Sequence, residues 1–95
     1  MALDESLIEK MMANGLRFPA AEYIRDVFAF IEEAEGRQIT GNALVEGVLD
    51  RHYEKKPEGQ ARTNQVEFIN QALLYLRHFE LIRKDGRSDT YSLNS

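Results

Sequence analysis

Apolar residues recur three and four positions apart in four segments of the chain, which is the spacing of amphipathic helices. The first segment is a short arm within residues 1–15, and the second begins at Pro19 and ends near Gly36. Thr40 is positioned to cap the third helix, which runs to about Tyr53. The apolar positions that we expect to line these three helices are Leu7, Ile8, Met11, Met12, Ile24, Val27, Phe28, Ile31, Leu44, Val45, Val48 and Leu49.

A fourth and longer helix is predicted over residues 63–80, after an exposed loop at 54–62 that contains Pro and Gly. Asn64 and Glu67 have the spacing of a capping box, so we expect this helix to begin at Thr63 or Asn64. Its buried stripe is predicted to be Val66, Ile69, Leu73 and Leu76.

The final segment, residues 81–93, is predicted to be a two-stranded hairpin. Short runs rich in apolar, Thr and Tyr residues flank Asp85-Gly86, a pair typical of tight turns. Together with three core helices and the N-terminal arm, the hairpin predicts one mainly helical α+β domain over residues 1–95.

The junction between the fourth helix and the hairpin resembles a known family. Residues 76–84 resemble the end of a winged-helix recognition helix and the strand that leads into the wing. Upstream, the Asn-Gly-Leu-Arg run at 14–17 and the helices after it are similar to the DNA-binding domain of ferric-uptake-regulator-type repressors, over roughly residues 7–93. The resemblance implies a winged helix in which residues 63–80 enter the major groove and residues 81–93 form the wing. No cofactor is implied, because the metal-binding dimerisation domain of that family has no counterpart here.

Three places depart from the family pattern. Residues 68–71 read Phe-Ile-Asn-Gln where the family has a Thr-Val-Tyr-Arg type of segment. Glu22 stands approximately where an early Arg is usual, and Glu80 stands at the usual Gly. These differences concern contact with DNA and leave the predicted fold unchanged.

Candidate DNA contacts lie on the face of the fourth helix opposite Ile69 and on the basic segments around it. Amide side chains can pair with the edge of adenine, and Lys and Arg can hold phosphates. Glu67 lies on the same face, and Asp85 and Asp89 dilute the positive charge of the wing. The residues predicted to read bases are Asn64, Asn70, Gln71 and His78, and those predicted to hold phosphates are Arg83, Lys84, Arg87, Lys55 and Lys56.

The fourth helix also carries an apolar patch, formed by Phe68, Leu74 and Tyr75. Such a patch is typical of packing against the arm or of docking a partner protein. The alternative function is therefore a winged-helix module for protein interaction. The arm leaves a similar choice open, since its apolar residues either form a homodimer contact or pack against their own domain.

Charge is unevenly distributed along the chain, whose net charge is -4. Residues 1–50 hold four basic against ten acidic residues, and residues 51–95 hold eight basic against six acidic ones. An overall acidic chain is unsuited to indiscriminate phosphate binding, but this division permits a local basic face on an acidic body.

Catalysis, metal binding and membrane insertion find no support in the sequence. The chain has no cysteine, and His52 and His78 have no serine or carboxylate at the spacing of a known motif. It has no run of about 18 apolar residues, and its acidic N-terminal stretch is unlike a secretory signal. We therefore expect a cytoplasmic protein that is not an enzyme: a small winged-helix transcriptional regulator that binds double-stranded DNA as a dimer.

Overall fold

The computed structural model describes residues 3–94, and four helices and three strands occur within them. The fold is mainly helical α+β, as predicted. In chain order the elements are α1 (Glu5–Ala13), α2 (Ala20–Glu32), β1 (Ile39–Thr40), α3 (Gly41–His52), α4 (Gly59–His78), β2 (Ile82–Lys84) and β3 (Thr90–Leu93).

The arm, α1, packs against its own domain. The Asp4 carboxylate accepts a hydrogen bond of 2.8 Å from the Leu7 N–H and so caps the helix start. Ile8 and Met11 are buried in the common core. Glu5 forms an ion pair with Arg25, which ties α1 to α2. Of the two roles left open for the arm, packing within the chain is the one observed.

Helix α2 lies at the centre of the core and contacts both α3 and α4. The predicted apolar stripes of α2 and α3 are buried, and Thr40 caps α3 by accepting a hydrogen bond of 3.1 Å from the Ala43 N–H. On α4 the stripe consists of Ile69, Ala72, Leu73 and Leu76, while Val66 is only half buried at its edge.

Helix α4 begins at Gly59, so the predicted start at Thr63 or Asn64 is wrong. No side chain caps the observed start. Asn64 instead lies inside the helix, where its side-chain Oδ1 accepts a hydrogen bond of 2.9 Å from Gln60 Nε2. The extra turn is held from outside, because Arg62 pairs with Glu46 of α3. This tertiary contact has no local signature in the sequence.

The sheet contains a strand that the sequence did not predict. The strand order is β1-β3-β2, and both pairings are antiparallel. β1 is only two residues long, which is too short to show the alternation that identifies a strand. The hairpin loop is also longer than the predicted tight turn, since the Asp85 N–H donates to the Thr90 carbonyl and residues 86–89 lie between them.

Among the described residues, no helix combines the length and hydrophobicity needed to cross a membrane.

Candidate nucleic-acid interface

The exposed face of α4 is the one expected from the helical pattern. Exposed residues on the side opposite the buried stripe are Asn64, Glu67, Gln71, Leu74 and His78, and Asn70 is exposed on the flank of this face. Within residues 3–94, the side-chain amides of Asn70 and Gln71 form no hydrogen bond with protein. These two amides are therefore available to an external partner, and the Glu67 carboxylate lies on the same face.

A basic hollow of about 610 Å³ separates the C-terminal end of α4 from the hairpin. Two of its lining residues are joined by a hydrogen bond of 2.8 Å, which the Asn94 side-chain amide donates to the Glu80 carbonyl. In the described part of the chain, no carboxylate lies within ion-pair distance of Arg77 or Arg83. The hollow is lined by Leu74, Arg77, His78, Glu80, Ile82, Arg83, Lys84 and Asn94. It therefore gathers three of the predicted contacts, His78, Arg83 and Lys84, with a single acidic residue.

Arg77 is a cation that sequence analysis missed. It lies eight residues after Ile69, which turns it about 80° from the buried direction and places it on the flank of α4. The helical pattern selects the face opposite Ile69, and Arg77 does not belong to that face. The signal was nevertheless present, because Arg77 is in the last turn of α4, directly before the hairpin.

The cations of the hairpin differ in their surroundings. Lys84 Nζ lies 3.9 Å from Asp89 Oδ1, a loose and largely exposed ion pair. Arg87 is exposed in the loop, and its backbone N–H donates to Asp85 Oδ1 over 3.0 Å. Exposed pairs of this kind contribute little energy, so Lys84 can exchange Asp89 for another anion at low cost.

The basic residues before α4 are arranged differently. Lys56 Nζ lies 2.7 Å from Glu46 Oε2 and 3.2 Å from Asp50 Oδ1, and Arg62 contacts the same Glu46. Hydrogen bonds from Lys56 and then Arg62 lower the pKa of Glu46. Lys56 is therefore engaged with α3, whereas Lys55 is exposed. Both lie at the opposite end of α4 from the basic hollow, along a helix of 20 residues or about 30 Å.

The apolar patch predicted on α4 is divided in the structure. Phe68 is half buried against the core, and the Tyr75 hydroxyl donates a hydrogen bond of 3.2 Å to the Asn14 carbonyl at the end of α1. Leu74 remains 57% exposed, beside a smaller hollow of about 280 Å³ lined by Asn14, Leu74, Tyr75 and His78. The arm thus occupies part of the surface that a partner protein would have used.

His52 belongs to a set of interactions between helices. It pairs with Asp26 of α2, and its ring centroid lies 4.5 Å from that of Tyr23. The Tyr23 hydroxyl donates a hydrogen bond of 2.6 Å to Gln65 Oε1 of α4, and burial raises the pKa of Tyr23 well above its ordinary value. The described residues contain no group of three or more His, Cys, Asp or Glu side chains that could hold a metal ion.

A third concavity, of about 510 Å³, lies between α2, β1 and α3. On its rim, Arg51 forms a bidentate pair with Glu33 at 2.7 and 2.8 Å and lies 5.0 Å from the centroid of the Phe30 ring. This pair holds α2 against α3, and hydrogen bonding to Arg51 lowers the pKa of Glu33.

Comparison with known proteins gave no match to any family model, curated protein or solved structure.

Proposed function

We propose that this chain is a winged-helix protein that binds double-stranded DNA and regulates transcription. In this proposal α4 lies in the major groove, and the β2–β3 hairpin acts as the wing on the phosphate backbone. The order of elements supports it, since the three helices α2, α3 and α4, after the N-terminal arm α1, are followed by an antiparallel hairpin that β1 extends into a sheet.

The observation that carries the proposal is the basic hollow between α4 and the hairpin. Arg77 and Arg83 line it without a carboxylate of the described residues at ion-pair distance, and Lys84 is only loosely paired. Cations that are not neutralised within the protein can displace counterions from DNA, and this displacement supplies most of the affinity for a phosphate backbone. Lys56 and Arg62 are already neutralised by α3, so we assign no phosphate contact to them.

The exposed face of α4 supplies the second requirement, which is a means of reading bases. Asn70 and Gln71 present free amides, and an amide side chain can form two hydrogen bonds with adenine. Glu67 accepts hydrogen bonds and would favour cytosine at its position. The recognition surface is therefore amide-rich, with its cations at one end.

Dimerisation is a further part of the proposal. A domain with about four phosphate contacts binds DNA weakly, and two copies on two half-sites would provide the missing affinity. Since α1 is committed to the core of its own chain, the contact between copies would use another surface.

The test compares Arg77→Gln with Arg37→Gln by fluorescence anisotropy on a mixed-sequence duplex. Both changes remove one exposed Arg that has no carboxylate of the described residues at ion-pair distance, but Arg37 lies beyond the end of α2. We expect Arg77→Gln to weaken binding by about threefold to tenfold and Arg37→Gln to leave it almost unchanged. Equal effects of the two variants would contradict a binding site at the hollow.

A second candidate function, docking of a partner protein, is favoured by one observation. Leu74 is 57% exposed at the ridge between the two hollows of α4, and Phe18 is 64% exposed. Large apolar side chains in such positions often anchor protein interfaces. Absence of any affinity for duplex DNA at low salt would make this candidate the better one.

A further inference from the structure

Asp89 lies where the hairpin meets the start of α3. Its backbone carbonyl accepts a hydrogen bond of 2.8 Å from the Gly41 N–H. Its carboxylate packs on Gly41 itself, so closely that a methyl group added to the glycine would lie 2.9 Å from Asp89 Cγ. The last residue of the hairpin loop and the first residue of α3 are therefore in direct contact.

The glycine at position 41 is explained by this contact. Gly41 is buried in the first turn of α3, and its φ lies outside the left-handed region, so its backbone conformation suits any residue. A side chain at position 41 would occupy the space that the Asp89 carboxylate fills. The first turn of α3 has no acidic residue of its own, and Asp89 supplies the negative charge that a helix N-terminus favours.

The same carboxylate is close to both strands of the hairpin. Asp89 Oδ1 lies 3.9 Å from Lys84 Nζ of β2. Burial, and after it the Asp89 carboxylate, raise the pKa of Tyr91 in β3. Lys84 and Tyr91 are direct partners in the register of the two strands. One side chain thus contacts or closely approaches β2, β3 and α3.

We propose that Asp89 is a positioning residue, which latches the hairpin to the start of α3 and thereby sets the pose in which Arg83 and Lys84 meet a DNA backbone. This inference rests on the proposed function. It gives Asp89 a role opposite to the one suggested by charge alone, where an acidic residue on a wing only weakens the attraction to phosphates.

The two roles predict effects of opposite sign, and Asp85 provides the matched control. Asp85→Asn removes the same charge from the same hairpin, and the new amide oxygen can still accept from the Arg87 N–H. We expect Asp85→Asn to tighten duplex binding about threefold, because one repulsive charge is lost. Asp89→Asn is expected to weaken binding about threefold, with a flatter salt dependence, because the wing cations no longer act together. Tightening by both variants would overturn the latch.

Gly41→Ala tests the latch without a change of charge. The added methyl displaces the Asp89 carboxylate, so we expect weaker binding and a flatter salt dependence, as for Asp89→Asn. A general loss of stability would lower the melting temperature without changing the number of phosphates contacted by the folded protein. Wild-type affinity and salt dependence in a folded Gly41→Ala variant would contradict the proposal.

Hydrogen exchange at the Gly41 amide separates failure of the latch from failure of the proposed function. In the absence of DNA, this amide should exchange faster in Asp89→Asn than in the wild type or in Asp85→Asn. If the wild type binds no duplex, the proposed function fails. The exchange rates of the Gly41 amide in the three proteins then still test whether Asp89 holds the hairpin to α3. Equal exchange rates in all three proteins would overturn it.

Discussion

Glu80 adopts a backbone conformation that is unfavourable for a residue with a side chain. Helix α4 ends in a Schellman motif, in which the Leu81 N–H donates to the Leu76 carbonyl and the Glu80 N–H donates to the Arg77 carbonyl. Glu80 therefore has a φ of +63°, in the left-handed region that favours glycine. The equivalent position after α1 is Gly15, also with positive φ. Glu80 thus accepts backbone strain at the point where α4 turns into the hairpin.

We expect Glu80→Gly to stabilise the protein by about 0.5–1 kcal/mol. Relief of the left-handed strain, about 1–2 kcal/mol, outweighs the greater flexibility of glycine in the unfolded chain. The measurement is the free energy of unfolding in urea. Glu9→Gly is the control, since Glu9 is exposed within α1, and it should cost about 1 kcal/mol. Destabilisation by both variants would show that the φ of Glu80 causes no strain.

At the scale of elements, Glu46 is the contact that fixes the start of α4. Its carboxylate binds Lys56 of the preceding loop and Arg62 of the first turns of α4. These hydrogen bonds lower the pKa of Glu46 below its ordinary value of 4.5, so the folded state holds the ionised form more strongly than the unfolded chain does. The stabilising effect is present above the ordinary pKa and is lost as the pH falls through the lowered pKa of the folded state.

We therefore expect Glu46→Gln to reduce the pH dependence of stability below about pH 5. The measurement is urea unfolding of the wild type and the variant between pH 3 and 7, with the two stabilities converging toward the acid end. Glu9→Gln, which removes an acid with no basic partner at ion-pair distance in the described residues, should leave the slope unchanged. Parallel pH profiles of the wild type and Glu46→Gln would contradict the stabilising role of the Glu46 contacts with Lys56 and Arg62.

The elements that the sequence predicted well are those whose signals are local. Thr40 caps α3 as predicted, because the capping side chain directly precedes the helix, and β2 and β3 both lie within the hairpin predicted over residues 81–93. The misses depend on distant parts of the chain. β1 exists through its pairing with β3, and the first turn of α4 is held by Glu46, thirteen residues before Gly59.

In the candidate site, too, the features with a local signal could be predicted and those that depend on distant residues could not. The exposed face of α4 followed from periodicity, because the buried stripe fixes which side chains point outward. The basic hollow required the packing of the hairpin against the end of α4, which brings Arg77 beside Arg83. The contact of Asp89 with Gly41 joins residues 48 positions apart, and no local pattern of residues indicates it.

At the scale of the whole molecule, ion pairs neutralise some of the cations and leave others without an acidic partner. Four cations are paired with acids of α1, of the C-terminal cap of α2 and of α3: Arg25, Arg51, Lys56 and Arg62. The exposed cations Arg77, Arg83 and Arg87 have no carboxylate of residues 3–94 at ion-pair distance, and they follow one another from the end of α4 into the hairpin. Lys10, Arg17, Arg37 and Lys55 also lack such a partner, so the field of the protein is expected to favour, and not to enforce, the orientation that presents the hairpin to DNA.

The most direct test is the salt dependence of duplex binding by the wild-type protein, measured by fluorescence anisotropy between about 30 and 200 mM salt. Four contacts, from Arg77, Arg83, Lys84 and Arg87, should make the logarithm of affinity fall with the logarithm of salt concentration at a slope of about -3 to -4 per domain. No binding at the lowest salt, or binding that salt does not weaken, would contradict the proposal that the hollow and hairpin hold a DNA backbone.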